Sequence, residues 1–382
     1  MPIKVEIKQS LTTPEWDLYV QSHPGATLYH LSGWLRVIQQ TYGHQTYYLT
    51  ALKTDKNVRT IEKGNPAGAV AGILPLVHMN HFLLGKSLVS IPFFDLGGIL
   101  ADNDEIENTL LQKAVALARE LKVEHIELRH TTPLRSINAS SKHNALNPND
   151  FSKCHELPAV NYSTRTHKVR MLMDLPESSD ILMRSFKAKL RSQIKKPIKE
   201  GLHVKTGGMD LLDDFYNVFL INMRDLGSPV HSKKMMTNVL REFSEDSRIF
   251  IVYKDRQPLA CSLTVSFNGV LENPWASSLR HYSRLNPNML LYWSMIEHAA
   301  DNGYRQFDFG RSTPGEGTYK FKKQWGAAPE TLHWNYIYLK SQVVEEKSDG
   351  KSKFDQAIRY WQRLPVAVTK YIGPMIRKHI SL

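Results

Sequence analysis

The chain has 382 residues, of which 42% are hydrophobic and 10% aromatic. This is enough for two domains with buried cores, and it excludes wholesale disorder. With 49 Lys and Arg against 37 Asp and Glu, the net charge of +12 favours anionic partners such as phosphorylated ligands, RNA or a membrane surface. Two cysteines without metal spacing argue against a disulfide framework, and no apolar run approaches about 18 residues. We therefore expect a cytoplasmic protein, soluble or peripheral at the inner face of the membrane.

The first half of the chain predicts strands, one long helix and a further strand. Residues 37–53 and 67–77 are rich in β-branched and aromatic residues, on either side of a polar, glycine-bearing turn. Residues 106–122 carry apolar side chains at helical spacing and lead into a predicted strand at 123–130. From 131 to 165 the chain is rich in Ser, Asn, Thr and Pro, which predicts a connection between two domains.

The second half predicts a strand, three helices, an antiparallel strand series and a final helix–strand pair. The last helix is expected to end at Gly303, because glycine is common just after helices. In chain order we predict strand 169–175, helices 180–199, 210–226 and 232–243, strands 248–255 and 258–278, helix 288–303 and strand 304–310.

A shift of 181 residues places part of the first half on the second. Helix, turn and strand recur with their apolar positions in register, and Glu127 falls on Asp308. Such a repeat indicates a duplicated α/β domain. We place the first domain at 1–160, the second at 161–343 and a basic C-terminal tail at 344–382.

Residues 183–201 carry an unusual excess of positive charge. Seven basic residues accompany one acid, Glu200, whereas an ordinary solvated helix mixes both signs. Unpartnered positive charges repel each other, so the pattern favours an anionic ligand over a merely solvated face. We predict that Lys187 and Arg191, which lie off the apolar stripe of this helix, bind that ligand.

Residues 307–326 read FDFGRSTPGEGTYKFKKQWG and predict a strand, a glycine-rich loop and a second strand. The loop is not a Walker A motif, but its backbone N–H groups are suited to an oxyanion. In the second strand Phe321 and Trp325 would share one face, towards the core, with Lys322 on the other. Lysines between aromatics suit phosphates and stacked bases, and a plain hairpin is the alternative. We predict ligand contacts from Arg311, Tyr319, Lys320, Phe321 and Lys322.

The tail from residue 354 combines apolar and basic side chains. Phe354, Ile358 and Trp361 share one helical face, and five Arg and Lys residues follow or flank them. Such a helix can lie on an anionic membrane, or it can pack on the second domain. The sequence leaves both open.

Six segments of the second half together resemble one family. They are LRSQIKKPIKEG, NMRDLGSPV, ENPWASSLR, NMLLYW, FDFGRSTPGEGTYKFKKQWGA and LHW. They resemble the FemAB-related proteins associated with exosortase/PEP-CTERM systems, over about 180–340. The resemblance implies an α/β fold with mixed (α+β) sheets, built as two tandem GNAT-like acyltransferase domains. It also implies aminoacyl transfer from aminoacyl-tRNA to an amine on a peptidoglycan precursor, and a cell-surface or exopolysaccharide role.

The resemblance implies roles for particular residues. The family's Phe-Lys-x-x-Phe-Gly element, implicated at the tRNA acceptor end, is similar to residues 321–326, so Lys322 would meet the acyl donor. A basic residue that meets substrate phosphate in the family is similar to Arg191. A second phosphate-binding lysine, after a Trp-x-x-Val pattern, is not reproduced, because Ile38 follows Val37.

We therefore expect an acyltransferase that moves an aminoacyl or acyl group to an amine of a phosphorylated cell-envelope or exopolysaccharide precursor. Asp308 and Glu272 are the candidates for the base that takes the amine proton, with structural ion pairing as their alternative role. No metal, no cofactor and no DNA partner are expected.

The acyl donor is expected to be aminoacyl-tRNA in preference to acyl-CoA. Pro287 stands where acyl-CoA acetyltransferases have a glycine-rich pyrophosphate loop, and proline has no N–H to donate. An acyl-CoA-dependent N-acyltransferase is the first alternative. A non-catalytic adaptor that binds tRNA or a membrane is the second.

Overall fold

The computed structural model describes residues 3–11, 14–53, 69–81, 85–135, 161–339 and 349–381. Its strands are β1 Ile3–Lys8, β2 Gln45–Lys53, β3 Ala69–His81, β4 Gly85–Val89, β5 Leu100–Ala101, β6 His125–His130, β7 Asn161–Arg165, β8 Val169–Asp174, β9 Leu202–Gly207, β10 Ser247–Lys254, β11 Gln257–Phe267, β12 Val270–Ser278, β13 Gln306–Ser312, β14 Ala328–Thr331 and β15 His333–Tyr338. Its α-helices are α1 Glu15–Ser22, α2 Gly33–Tyr42, α3 Asp104–Glu120, α4 Ser179–Ser185, α5 Ala188–Lys199, α6 Leu212–Leu226, α7 Lys233–Glu242, α8 Pro287–Asp301, α9 Gly317–Gln324, α10 Asp349–Arg363 and α11 Val366–Arg377.

The first compact unit contains residues 1–167, 331–344 and 381–382. Within its described residues, eight strands form one sheet in the order β1-β2-β3-β4-β6-β15-β7, with β5 beside β3. α3 packs its apolar stripe into the core of this sheet. The helix begins where the side chain of Asn103 accepts a hydrogen bond from the Ile106 N–H at 3.0 Å, which satisfies an otherwise unpaired donor.

The second compact unit contains residues 168–330 and 345–380. Its described residues form a seven-stranded sheet in the order β14-β8-β13-β12-β11-β10-β9. α4, α5 and α8 bury their apolar side chains in one core cluster with this sheet. α6 lies against β11 and β12. Residues 180–199, predicted as one helix, form α4 and α5 instead, because the chain is extended at Phe186 and Lys187.

Five strands of each sheet share one order, β1-β2-β3-β4-β6 in the first and β9-β10-β11-β12-β13 in the second, which accounts for the sequence repeat. In each, a single pair of neighbouring strands with a described register is parallel: β4 with β6 and β12 with β13. A helix connects the two strands of each pair, α3 in the first unit and α8 in the second. A shift of 181 residues carries the end of α3 onto the end of α8 and the start of β6 onto the start of β13.

The compact units differ from the predicted domains, 1–160 and 161–343. β7 and β15 both belong to the first sheet, where β15 lies between β6 and β7 and is antiparallel to each. The predicted boundaries assumed that each domain is one continuous segment. In the structure, a strand that follows the second sheet along the chain completes the first sheet instead.

One local prediction needs correction, and the structure shows where the tail packs. Residues 37–42 lie in α2 and not in a strand, and β2 starts only after the turn at Gly43. The tail forms α10 and α11, and both pack on α6 of the second unit. No helix among the described residues is long and apolar enough to cross a bilayer. Cys154 lies outside the described residues, and Cys261 is buried, which raises the pKa of its thiol.

Candidate active site

The parallel strands β12 and β13 part after three paired residues. Their register ends where Glu272 faces Asp308, and beyond this pair β12 continues along β11 while β13 continues along β8. The register between β13 and β8 also shifts between Asp308 and Arg311, where Gly310 has a φ of 74° that favours glycine. We call the gap that opens between β12 and β13 beyond Glu272 and Asp308 the wedge.

Arg170 on β8 contacts three carboxylates at the start of the wedge. Its Nε donates to Asp308 Oδ2 at 2.6 Å and its Nη2 to Glu272 Oε1 at 3.4 Å, while its Nη1 lies 3.6 Å from Glu330 Oε2. Burial opposes the charge of Arg170, but Asp308 and Glu272 outweigh it and raise the pKa of the guanidinium. The Gly310 N–H donates to the other Asp308 oxygen, Oδ1, at 2.7 Å.

These contacts bear on the two candidate bases. Asp308 and Glu272 are both buried, and both oxygens of Asp308 already accept hydrogen bonds, from Arg170 and from Gly310. A general base must reach the proton that it removes. The geometry therefore favours the alternative role, in which the two carboxylates neutralise Arg170 and fix the strands at the point where they part.

Replacing Asp308 with asparagine should separate the two roles. We expect the free energy of unfolding to fall by about 1–3 kcal/mol, because an amide facing Arg170 leaves a buried charge-assisted bond unmade while Glu272 still balances the charge. The transfer rate of the folded variant should stay within about tenfold of the unaltered protein, since a general base contributes about 10²–10⁴-fold. Urea titration and a rate measured on folded protein give the two readouts. A hundredfold loss of rate would restore Asp308 as the base.

Lys322 lies on a helix, so the strand predicted after the glycine loop is wrong. The helix is α9, and Trp325 follows it directly in helical conformation, so Phe321 and Trp325 still share a face because they are four residues apart. The reason for the error is that alternation of Tyr319 and Phe321 with lysines also fits a strand. Lys322 is only 7% exposed, and its Nζ donates to the carbonyl oxygens of Gly310 at 3.0 Å and Arg311 at 2.7 Å.

Lys322 and the carboxylates thus meet at the same turn of backbone. The carbonyl of Gly310 binds the lysine ammonium, and its N–H binds Asp308, whose other oxygen binds Arg170. The predicted catalytic residues Lys322, Asp308 and Glu272 are therefore brought together. The Lys322 ammonium is thereby fixed beside β13, just beyond the point where β12 and β13 part.

An aromatic cluster supports this arrangement. Trp325 is fully buried, with its ring centroid 5.8 Å from that of Phe186 and 6.3 Å from that of Phe321. Tyr292 on α8 stacks on Phe309 at 5.6 Å and meets Phe321 edge-on at 5.0 Å. The prediction that the aromatics face the core is confirmed for Trp325, and Phe321 is half-buried against the same cluster.

The other predicted ligand residues surround the glycine loop. Arg311 is half-buried on β13 and Tyr319 half-buried on α9, while Lys320 is exposed. Lys168 Nζ donates to Thr313 Oγ1 at 2.6 Å, which ties the loop to the residue before β8. Arg311, Tyr319 and Lys320 therefore lie on β13 and α9, the two elements that the hydrogen bonds of Lys322 join.

The basic helix α5 begins next to the aromatic cluster. Lys187 is exposed at its N-cap, and Arg191 is half-buried with its Nη1 donating to Phe186 O at 2.6 Å. A pocket of about 530 Å³ lies along the helix. It is lined by Ala188, Arg191, Ser192, Gln193, Lys195, Lys196, Lys199 and Glu200. Phe186, which lies just before this helix, touches Trp325, which directly follows α9.

Sequence reasoning missed three polar residues of the wedge. Arg170 stands between the buried residues Val169 and Met171 of β8, and a lone charge in such an apolar strand was the available signal. Asn273 is buried on β12 and accepts from Ser262 Oγ at 2.7 Å. Tyr292 lies nearby, and burial raises its pKa to about 12. Within the described part of the chain, no group of three His, Cys, Asp or Glu residues could hold a metal.

Comparison with known sequences assigns this region to a type of enzyme. Residues 184–323, which contain the wedge, α5 and α9, match the family described as the acetyltransferase (GNAT) domain. No sequence of a curated protein matches the chain. The protein is an acyltransferase, as the sequence led us to expect, and the match places a GNAT domain over residues 184–323.

Solved structures show the same fold over most of the chain. A crystal structure of FemX is similar with a TM-score of 0.60 at 15% identity, covering 86% of this chain and 96% of that chain. A tandem GNAT protein from the clavulanic acid biosynthesis pathway gives a TM-score of 0.51 at 10% identity, over 88% and 98%. L-PGS from Bacillus licheniformis gives 0.50 at 11% identity, over 92% and 97%. The predicted α/β fold of two tandem GNAT-like domains is confirmed, whereas the exosortase/PEP-CTERM branch stays a prediction.

Proposed function

We propose that the protein transfers an aminoacyl group from aminoacyl-tRNA to an amine of a phosphorylated cell-envelope precursor. The observation that carries the proposal is the buried ammonium of Lys322, held by the Gly310 and Arg311 carbonyls where β12 and β13 part. The similarity of residues 321–326 to the Fem element at the tRNA acceptor end, and the FemX-like fold, support this donor.

The proposed transfer step needs no side chain to act as a base. The neutral amine attacks the ester carbonyl, a C–N bond forms, and the bond to the terminal ribose oxygen breaks. The amine loses one proton and the ribose oxygen gains one. Positive charge held in a dry site stabilises the oxyanion that develops in between, and this is the role we give to Lys322. The ion-paired state of Asp308 and Glu272 is consistent with this scheme.

The acceptor would bind through its phosphates at α5. Four basic side chains line the pocket along this helix: Arg191, Lys195, Lys196 and Lys199. A charge field of one sign in a concave surface attracts a polyanion and orients it. An exopolysaccharide precursor that carries a phosphate and an amine would meet the same requirements, in line with the resemblance to the exosortase-associated branch.

Alanine in place of Lys187 and of Arg191 should each weaken binding of a UDP-linked muramyl peptide by about tenfold to a hundredfold. A hydrogen bond to a charged group contributes about 1.5–3 kcal/mol, and exposure at Lys187 places that residue at the low end. Titration calorimetry at two salt concentrations measures the effect.

Lys205→Ala is the matched control, because this exposed lysine lies on β9 and not on α5 or at its N-cap. The Arg191 side chain also donates to the Phe186 carbonyl, so its removal can lower stability. The melting temperature of the Arg191→Ala variant is therefore measured together with its affinity. Unchanged affinity in both variants would move the acceptor site away from α5.

An acyl-CoA-dependent N-acyltransferase is the second candidate, favoured by the match to the acetyltransferase (GNAT) domain. Pro287 occupies the first position of α8, so the turn that begins this helix has one N–H fewer to offer a pyrophosphate. A thermal shift with coenzyme A separates the two candidates: stabilisation favours acyl-CoA, and its absence favours aminoacyl-tRNA. We place the protein in the cytoplasm, where charged tRNA occurs.

A further inference from the structure

The C-terminal helix α11 packs on the second unit through its small residues. Thr369 and Gly373 are buried, and a Cβ on Gly373 would come within 3.0 Å of Val230 Cγ1 and 3.1 Å of Val230 N. One turn further on, Arg377 Nε donates to His231 Nε2 at 3.1 Å. The side of α11 that faces the protein therefore allows close approach and buries no large apolar side chain of its own.

Three of the large apolar residues of α11 point the other way, whereas Val366 and Ile372 are half-buried. Val368, Tyr371 and Met375 recur at helical spacing, and Tyr371 is 73% and Met375 65% exposed. On α10, Ile358 lies inward against Gly227, whereas Tyr360 is 70% exposed. A helix that needs only to pack on its own protein turns its apolar stripe inward. These helices turn part of theirs outward.

Beyond Asp355, which is itself exposed on α10, the tail carries charged residues of one sign only. Arg359, Arg363 and Lys370 are all exposed. No acidic residue occurs between Asp355 and Leu382. We call the exposed side chains of Tyr360, Val368, Tyr371 and Met375, together with these three basic residues, the tail surface.

We infer that the tail surface docks the protein on an anionic lipid bilayer. Tyrosine has an apolar ring and a polar hydroxyl, which suits the boundary between acyl chains and head groups. Arg and Lys beside it are attracted to anionic lipids, and their long stems reach the head groups while the apolar side chains insert. A second copy of the chain would bring positive charge against positive charge, which disfavours a symmetric dimer through this face.

Vesicle co-sedimentation with the full chain tests the inference. We expect binding to vesicles that contain phosphatidylglycerol, weakened by salt, and little binding to pure phosphatidylcholine. The triple variant Arg359→Gln/Arg363→Gln/Lys370→Gln should bind about a hundredfold more weakly, given the contribution of each basic residue near an anionic surface. The double variant Tyr371→Ser/Met375→Ser should lose about tenfold, because less apolar area is inserted.

Two control variants remove the same chemistry elsewhere on the second unit. Arg241→Gln/Arg248→Gln/Arg256→Gln removes three exposed charges, and Ile181→Ser/Met209→Ser removes two exposed apolar side chains. Both should bind anionic vesicles like the unaltered chain. All four variants change exposed residues, so melting temperatures should not change.

Three outcomes would overturn the inference. They are equal binding to neutral vesicles, tail variants that bind like the unaltered chain, and a dimer that dissociates in the Tyr371→Ser/Met375→Ser variant without any vesicle binding. The last outcome, read by analytical ultracentrifugation, would assign the face to a second copy. No acyl transfer enters the assay, so its result is independent of the proposed function.

Discussion

Replacing Lys322 with methionine is expected to lower acyl transfer by about a hundredfold or more. The substitution keeps the length of the side chain and removes the ammonium that the Gly310 and Arg311 carbonyls hold at the wedge. Loss of one preorganised donor at a developing oxyanion typically has an effect of about 10²–10³-fold on the rate. The lost bonds should also reduce the free energy of unfolding by about 1–3 kcal/mol, because two carbonyls lose a buried donor.

Lys323→Met is the matched control. Lys323 is the next residue of α9 and is exposed, so the same chemical change should leave both rate and stability near those of the unaltered protein. The rate is measured under single-turnover conditions, below the urea concentration at which either variant unfolds. A Lys322→Met protein with full activity would contradict the role of Lys322 at the acyl donor.

Truncation of Trp325 to alanine is expected to produce the largest loss of stability, about 3–5 kcal/mol, in line with other large-to-small changes in cores. Its indole is fully buried and touches Phe186, which precedes α5, as well as Phe321 on α9. A cavity here would loosen the two helices that carry the candidate ligand residues.

Tyr360→Ala provides the comparison, since truncating a large exposed aromatic side chain opens no cavity. Chemical denaturation followed by far-ultraviolet circular dichroism measures both. If the midpoints of the two variants coincide, the aromatic cluster does not hold α5 and α9 together.

The sequence repeat was sufficient to predict the part of the fold that positions the site. The shift that places Glu127 on Asp308 correctly matched β6 of the first sheet with β13 of the second. Each of these two strands runs parallel to one neighbouring strand. Periodicity could not decide α9, because Phe321 and Trp325 fall on one face in a helix and in a strand alike. The tail was ambiguous for a similar reason. The spacing of its apolar residues shows which of them share a helical face, but not whether that face points to the protein or to solvent.

Long-range contacts were beyond a single sequence. Arg170 and Asp308 lie 138 residues apart, and they meet only because β8 runs beside β13. The placement of β15 in the first sheet depends in the same way on strand pairing across nearly the whole chain. Local propensity carries no information on such pairs, so the ion-pair network of the wedge could not be foreseen even though two of its carboxylates had been identified as candidates.

The central claim, aminoacyl transfer from tRNA at the wedge, is tested most directly by following the acceptor. The purified full chain is incubated with an extract of phosphorylated envelope precursors and with either aminoacyl-tRNA or an acyl-CoA, and the precursors are analysed by mass spectrometry. We predict that one precursor gains the mass of an aminoacyl residue at an amine, only with aminoacyl-tRNA, and that Lys322→Met abolishes most of this product while Lys323→Met does not. Acylated product from acyl-CoA alone, or equal product from both variants, would contradict the account.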